Sequence, residues 1–256
     1  MDLEAANPFR VPRLDLSAAR VARVVHFPFV FDYPIQFAKT VLLTLGALLP
    51  IVDPLGGAPI YLVMTTDLRP EQRAPMAKAV ALSSFFLLMA STLVGVYVLD
   101  FFGLSIPAVQ VAGGLVVCAI GWAQLNRSET SAIPSRATDA AMTPDSLRVR
   151  AFYPLTMPLT VGPGSVSVAI TLGANTERGL PSLVITAFAH AVAVVIIAVS
   201  VYLCYRYAER LARLLGPSGT GVLMSLSAFI LMCIGVQITW NGVRALLSTA
   251  FPHMAR

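Results

Sequence analysis

The sequence predicts an all-α fold: a polytopic membrane bundle of six transmembrane helices arranged as a 3+3 inverted repeat, with helices one and four broken. Three observations predict it. Of 256 residues, 57% are hydrophobic and 12% charged, with mean hydropathy +0.76, whereas a soluble domain carries about 25% charged residues. Six stretches are apolar over the roughly 20 residues that a helix needs to cross the hydrocarbon core. Two of them carry a proline–glycine cluster at corresponding places, "IVDPLGGAP" over residues 51–59 and "MPLTVGPGS" over 157–165.

Residues 1–34 form an extension containing Arg10, Arg13, Arg20 and Arg23. No uninterrupted apolar run there precedes a small-residue cleavage site, so no removable signal peptide is expected and the first span serves as the insertion signal. "VVHFPFVF", 24–31, is short and proline-interrupted, which suits an interfacial segment. Spans are expected over about 36–64, 76–99, 104–125, 151–173, 181–205 and 219–246. A transmembrane barrel would alternate apolar and polar residues, but runs such as "VITAFAHAVAVVIIAVSVYL" are continuous. Spans three and six also rhyme, "VCAIGWAQLN" (117–126) with "LMCIGVQITWN" (231–241), around Gly121 and Gly235. The chain thus divides into a first three-helix repeat over 35–125, a polar inter-repeat loop over 126–150, a second repeat over 151–246 and a tail over 247–256.

The net charge of +5 belongs to topology and anionic headgroups, not to nucleic acid. Placing loops 1–2, 3–4 and 5–6 on one face collects Arg69, Arg73, Lys78, Arg127, Arg136, Arg148, Arg150, Arg206, Arg210 and Arg213. The opposite loops hold only Arg178, and the C-terminal end adds Arg244 and Arg256. The positive-inside rule makes the arginine-rich face cytoplasmic and both termini non-cytoplasmic, while Arg20 and Arg23 pull the other way. Three spans per repeat also send the second half into the membrane from the opposite side, so the two breaks are expected to meet near mid-depth.

A break in a membrane helix orphans N–H and C=O groups, and such backbone persists only inside protein or along a wet cavity. Pro54 and Pro59 remove donors, while Gly56 and Gly57 permit unusual backbone angles; Gly162, Pro163 and Gly164 do the same in the second half. Ser165 follows where a resumed helix wants a cap. Asp53 is the acidic residue deep within a span. Its two readings are a cap on the resumed helix and a ligand for a substrate ammonium, a cation or a proton.

His190 sits mid-span and is a second candidate for coupling to protons; the bland reading is hydrogen-bonded packing. Gln110, Gln124, Gln237 and Asn241 suit interhelical hydrogen bonds, Asp100 a span boundary, and Cys118, Cys204 and Cys233 apolar packing. Ser165 with His190 faintly suggests a serine–histidine dyad. No P-loop, metal-ligand spacing or cofactor motif is present, so no catalytic residue, metal or cofactor is expected.

Asp-Pro-Leu-Gly-Gly-Ala-Pro at 53–59, Met-Pro-Leu-Thr-Val-Gly-Pro-Gly at 157–164 and the six-span pattern resemble the MarC family of bacterial inner-membrane proteins, over about residues 35–246. That family is grouped with six-span neutral amino acid transporters. The resemblance implies a multi-pass protein of the plasma membrane. Many relatives begin almost directly at the first span, and Asn is also common where Asp53 stands. The expected partners are the bilayer and a small polar solute, possibly with a coupling ion; the oligomeric state is left open. Residues 53–59 and 162–165 are the expected substrate site, with Asp53 and His190 as coupling candidates. The alternatives are a non-transporting membrane scaffold and an intramembrane hydrolase.

Overall fold

Apolar runs in lipid must satisfy their backbone internally. The computed structural model, which describes residues 32–126, 144–174 and 180–250, forms only helices and short turns there. The interfacial segment over 24–31, the N-terminal arginines, Arg127, Arg136, Arg178 and Arg256 lie outside the described residues.

The first span comprises α1 (Asp32–Val52) and α2 (Pro54–Met64), parted at Asp53. The second and third are α3 (Pro70–Phe101) and α4 (Ile106–Leu125). In the fourth, α5 (Pro144–Arg150) runs into a π-helical stretch (Ala151–Thr160), and α6 (Pro163–Ala174) resumes after a 72° bend. The fifth is α7 (Leu180–Arg206) and the sixth lies in α8 (Ala208–Ala250). Among the described residues, five helices are long and apolar enough to cross a membrane, six if the bent pair is one span.

The structure differs from the sequence expectation at two places and adds an arm at a third, the sixth span itself lying at Ser218–Ala250 where 219–246 was expected. The inter-repeat loop ends early, because residues 144–150 are already helical. Leu147 packs against the core from there, and Arg150 donates to the Met64 carbonyl. The sixth helix begins at Ala208 and reaches Ala250, with a sharp turn at Gly216 (φ 65°, ψ 178°). Only glycine adopts that region readily, so Ala208–Leu215 forms a separate arm ahead of the span. Finally, the first half of span four is irregular: Tyr153 (φ −126°, ψ 123°) and Met157 (φ −116°, ψ 123°) are extended. Each precedes a proline, whose ring drives its predecessor out of the helical region, and both of these peptide bonds are cis. With donors lost at Pro154 and Pro158, bonding widens to five residues. Thr156 Oγ1 donates to the Ala151 carbonyl (2.8 Å) and Thr160 Oγ1 to the Leu155 carbonyl (2.7 Å).

The closest helix pair is α4 against α8, antiparallel and in backbone contact. A Cβ at Gly121 would stand 2.9 Å from the Ala228 carbonyl oxygen, and one at Gly235 2.8 Å from that of Gly114. Small residues permit such approach where no hydrophobic force draws helices together in lipid. The buried core lies on the other side of the bundle, where Leu48, Val80, Leu88, Leu155, Val194 and Ile197 bring α1, α3, the π-helical stretch and α7 together.

Candidate functional site

Asp53 adopts a left-handed backbone (φ 43°, ψ 65°), a region that Asp and Asn tolerate better than most residues. This conformation ends α1 and starts α2 in one residue. The Asp53 amide still donates to the Leu49 carbonyl (3.0 Å), and the Gly57 amide to the Asp53 carbonyl (2.9 Å). Asp53 Oδ1 accepts from the Gly56 amide (3.0 Å) and from Ser227 Oγ of α8 (3.3 Å). Pro54, the first residue of α2, has no N–H to orphan. The expected cap is therefore formed, and Asp53 is also tied to the sixth span.

The second break lies between Thr160 and Pro163. The Val161 amide donates to the Thr156 carbonyl (2.8 Å). Ser165 Oγ donates to the Gly162 carbonyl (2.8 Å) instead of capping an amide. Pro163 opens α6, whose first N–H groups have no intrahelical partner by construction.

The two breaks border one cavity of about 40 Å³. Asp53 and Gly57 line it from the first span, and Gly162, Gly164 and Ser165 from the fourth. The N-terminal ends of α2 and α6, each carrying about half a positive charge from the helix dipole, thus share one space with the Asp53 carboxylate. Pro54, Gly56, Pro59 and Pro163 shape the breaks without lining the cavity. Gln124, assigned from sequence to helix pairing, lines it as well; its position near the end of span three gave no signal of that, since its depth depends on how α4 is tilted.

His190 lies elsewhere. Its Nδ1 is 2.9 Å from Thr44 Oγ1, and Thr44 is nine residues before Asp53, about 13 Å along a helix at 1.5 Å per residue. Its Nε2 has no hydrogen-bond partner. With Ser165 bonded to Gly162 and His190 to Thr44, the two do not form the faint dyad.

Towards the arginine-rich loops the cavity is shut by residues not singled out from sequence. Tyr61 and Tyr205 stack face to face, Tyr205 Oη lies 2.9 Å from Thr160 Oγ1, and Tyr61 Oη donates to the Arg73 carbonyl (2.7 Å). Arg73 pairs with Glu209 (3.1 Å). Arg150 grips Asp67 with both guanidinium arms, Nη2 to Oδ1 at 2.8 Å, and this holds the Asp67 carboxyl below its ordinary 3.8.

Comparison with known proteins agrees with this architecture. The model of the MarC family integral membrane protein matches residues 38–247. The inner membrane protein MarC of Salmonella arizonae is 32% identical over 219 residues, covering 82% of this chain and 97% of that protein. Its namesake in Citrobacter koseri is 31% identical over the same length and coverage, and that of Escherichia coli O139:H28 28% identical over 215 residues. No solved structure matches the chain. With the family model covering most of the chain and both broken spans, the protein belongs to the MarC family of integral membrane proteins.

Proposed function

We propose that this chain is a secondary transporter of small polar solutes, neutral amino acids first among them, in the inner membrane. The observation that carries the reading is the meeting of two interrupted helices at one cavity within the bundle. Two helix N-termini suit a substrate carboxylate, and Asp53 suits its ammonium group, which together match a zwitterion. The relatives' names place them in the inner membrane, and the loop arginines orient both termini away from the cytoplasm. Driving force comes from an ion gradient or from the solute's own, with Asp53 and His190 as the groups able to carry a proton.

The inverted repeat is part of the proposal. Its support is a pattern of contacts that survives exchange of the halves. Gly121 packs on Ala228 as Gly235 packs on Gly114, and a Cβ at Gly56 would meet Ser227 as one at Gly113 would meet Ser167. At about 40 Å³ the cavity has room for roughly one water. Binding an amino acid therefore requires the two breaks to move apart, as alternating access demands.

Purified protein in proteoliposomes tests the reading by uptake and counterflow of labelled glycine and alanine. Saturable, protein-dependent flux is expected. No flux of neutral, acidic or basic solutes by monodisperse protein would overturn it in favour of a scaffold whose breaks only pack.

A further inference from the structure

Beside the small cavity lies a larger, open cleft of about 290 Å³ between α1, α4, α6 and α8, along whose open side Gln237 and Asn241 are exposed. Its lining includes four polar side chains, Gln110, Thr171, Gln237 and Asn241, and no charged one. Gln110 Nε2 donates to Thr171 Oγ1 (3.2 Å), and Gln237 Nε2 to Asn241 Oδ1 (3.0 Å). A primary amide has two donor hydrogens and an oxygen that accepts twice, so these two bonds leave most of the capacity of three amides unused. Exposed to hydrocarbon, that capacity is strongly unfavourable; filled with water or a polar solute it is satisfied. At about 30 Å³ per water the space holds roughly ten.

Its place in the bundle is defined by chain positions. Gln110 is four residues into α4 and Thr171 three residues from the end of α6, so the cavity lies towards the face opposite the arginine-rich loops. The small cavity meets α4 at Val117, Ile120 and Gln124, about 10 Å or more deeper at helical rise. Ile51 lines both cavities. On the other side the Tyr61–Tyr205 stack and the Arg73–Glu209 and Arg150–Asp67 pairs close the bundle.

We propose that the larger cavity is a water-filled vestibule that binds small polar solutes of zero net charge through Gln110, Thr171, Gln237 and Asn241, with Ile51 as the partition between it and the site at the breaks. The inference rests on the transport reading for its solute and on the two cavities for its path. Amides and a hydroxyl can replace the hydration of hydroxyl, amide and zwitterionic groups, but offer no counter-charge to a net ion. Lysine and aspartate are therefore disfavoured there and alanine is not.

Cysteine accessibility tests it. In a chain whose Cys118, Cys204 and Cys233 are replaced by serine, single cysteines are placed as Thr171→Cys and Asn241→Cys in the vestibule, Ser165→Cys at the breaks and Leu93→Cys on an exposed apolar face of α3. A membrane-impermeant maleimide is applied to oriented vesicles from either side, with monodispersity of each variant checked. The vestibule cysteines should react from the face opposite the arginine-rich loops only, and Leu93→Cys from neither. Adding Ile51→Ala should raise the rate at Ser165→Cys by about an order of magnitude from that same face. Alanine in excess should slow labelling at Thr171→Cys, and lysine or aspartate should not. Vestibule cysteines as unreactive as Leu93→Cys, or an Ile51→Ala variant without effect, would overturn the vestibule and its partition; labelling untouched by alanine would overturn the solute assignment. A reactive vestibule in protein that transports nothing would sink the transport reading alone, whereas active transport with an unreactive vestibule would sink only this inference.

Discussion

Tyr61 of α2 and Tyr205 of α7 stack with ring centroids 4.6 Å apart and planes 16° from parallel, and each hydroxyl is anchored to a different further element. The pair joins the first span's second half to the fifth span, beside the first span's break. A Cβ on Gly57 would come within 2.7 Å of the Tyr205 hydroxyl, so the glycine in the break is what lets the ring settle there. Tyr205→Phe keeps the stack and removes one hydrogen bond. It should cost about 1 kcal/mol of stability and increase flux by loosening the closure. Tyr205→Ala empties a fully buried ring site and should cost about 3–5 kcal/mol. Thermal unfolding in detergent with flux measured in liposomes checks both; equal stability of the Phe and Ala variants would refute the stacking role.

The Arg150–Asp67 pair predicts a pH dependence outside the membrane-spanning segments. The Asp67 carboxyl is held below its ordinary value, foremost by its hydrogen bond to Arg150. A depressed carboxyl stabilises the fold above the unfolded value of 3.8, and that contribution is lost as pH falls through the folded value. Asp67→Asn should therefore unfold at lower temperature than the parent at neutral pH, by about 1 kcal/mol or less because the pair is partly exposed and screened. The two melting curves should converge in acid. A gap that persists unchanged down to the most acidic pH at which both proteins remain folded would show that the carboxylate charge is not its source.

Asp53 has separable duties. Asn caps a helix as well as Asp and tolerates the left-handed backbone, so Asp53→Asn should change stability by less than about 0.5 kcal/mol. Asp53→Ala loses the cap and strains the backbone, at a cost of about 1–3 kcal/mol. If the carboxyl also carries the coupling proton, Asp53→Asn retains solute counterflow but loses accumulation driven by a pH gradient. Undiminished accumulation in that variant would remove Asp53 from coupling.

The α4–α8 seam predicts a contrast between glycines. At Gly235 a methyl group would meet the Gly114 carbonyl and the Cys118 amide, the latter at 2.6 Å. Gly235→Ala should cost about 1–3 kcal/mol by forcing the two backbones apart. Gly46→Ala, with nothing within 4 Å of its new methyl, should be neutral or slightly stabilising through helix propensity. Paired unfolding measurements decide it; equal effects at both sites would exclude backbone contact as the cause.

Much of this architecture is legible in the sequence because lipid leaves the backbone so few options. Apolar length alone marks the spans, and the clusters at 53–59 and 162–165 mark both breaks. Proline chemistry also announces Tyr153 and Met157 as extended residues, since each precedes a proline, although the second cluster places the site of the break at 162–165. The Tyr61–Tyr205 stack and the place of Gln124 at the cavity were hidden. They depend on which faces of separate helices come together, which the sequence around Tyr61 or Tyr205 does not state. The place of His190 was equally hidden: its Nδ1 meets Thr44 Oγ1 across two spans, a full two turns from the break.

The bond from Ser227 to Asp53 crosses 174 residues of chain, whereas the bond from Gly56 to the same oxygen crosses three. At about 5–20 residues per second of synthesis, the first span waits on the order of ten to thirty seconds before its distant partner exists. During that interval the break must survive insertion on its own cap. The local bond from Gly56 is thus available to Asp53 in the nascent chain well before the bond from Ser227 can form. Residues chosen for a finished site are also screened by the order in which the ribosome delivers their neighbours.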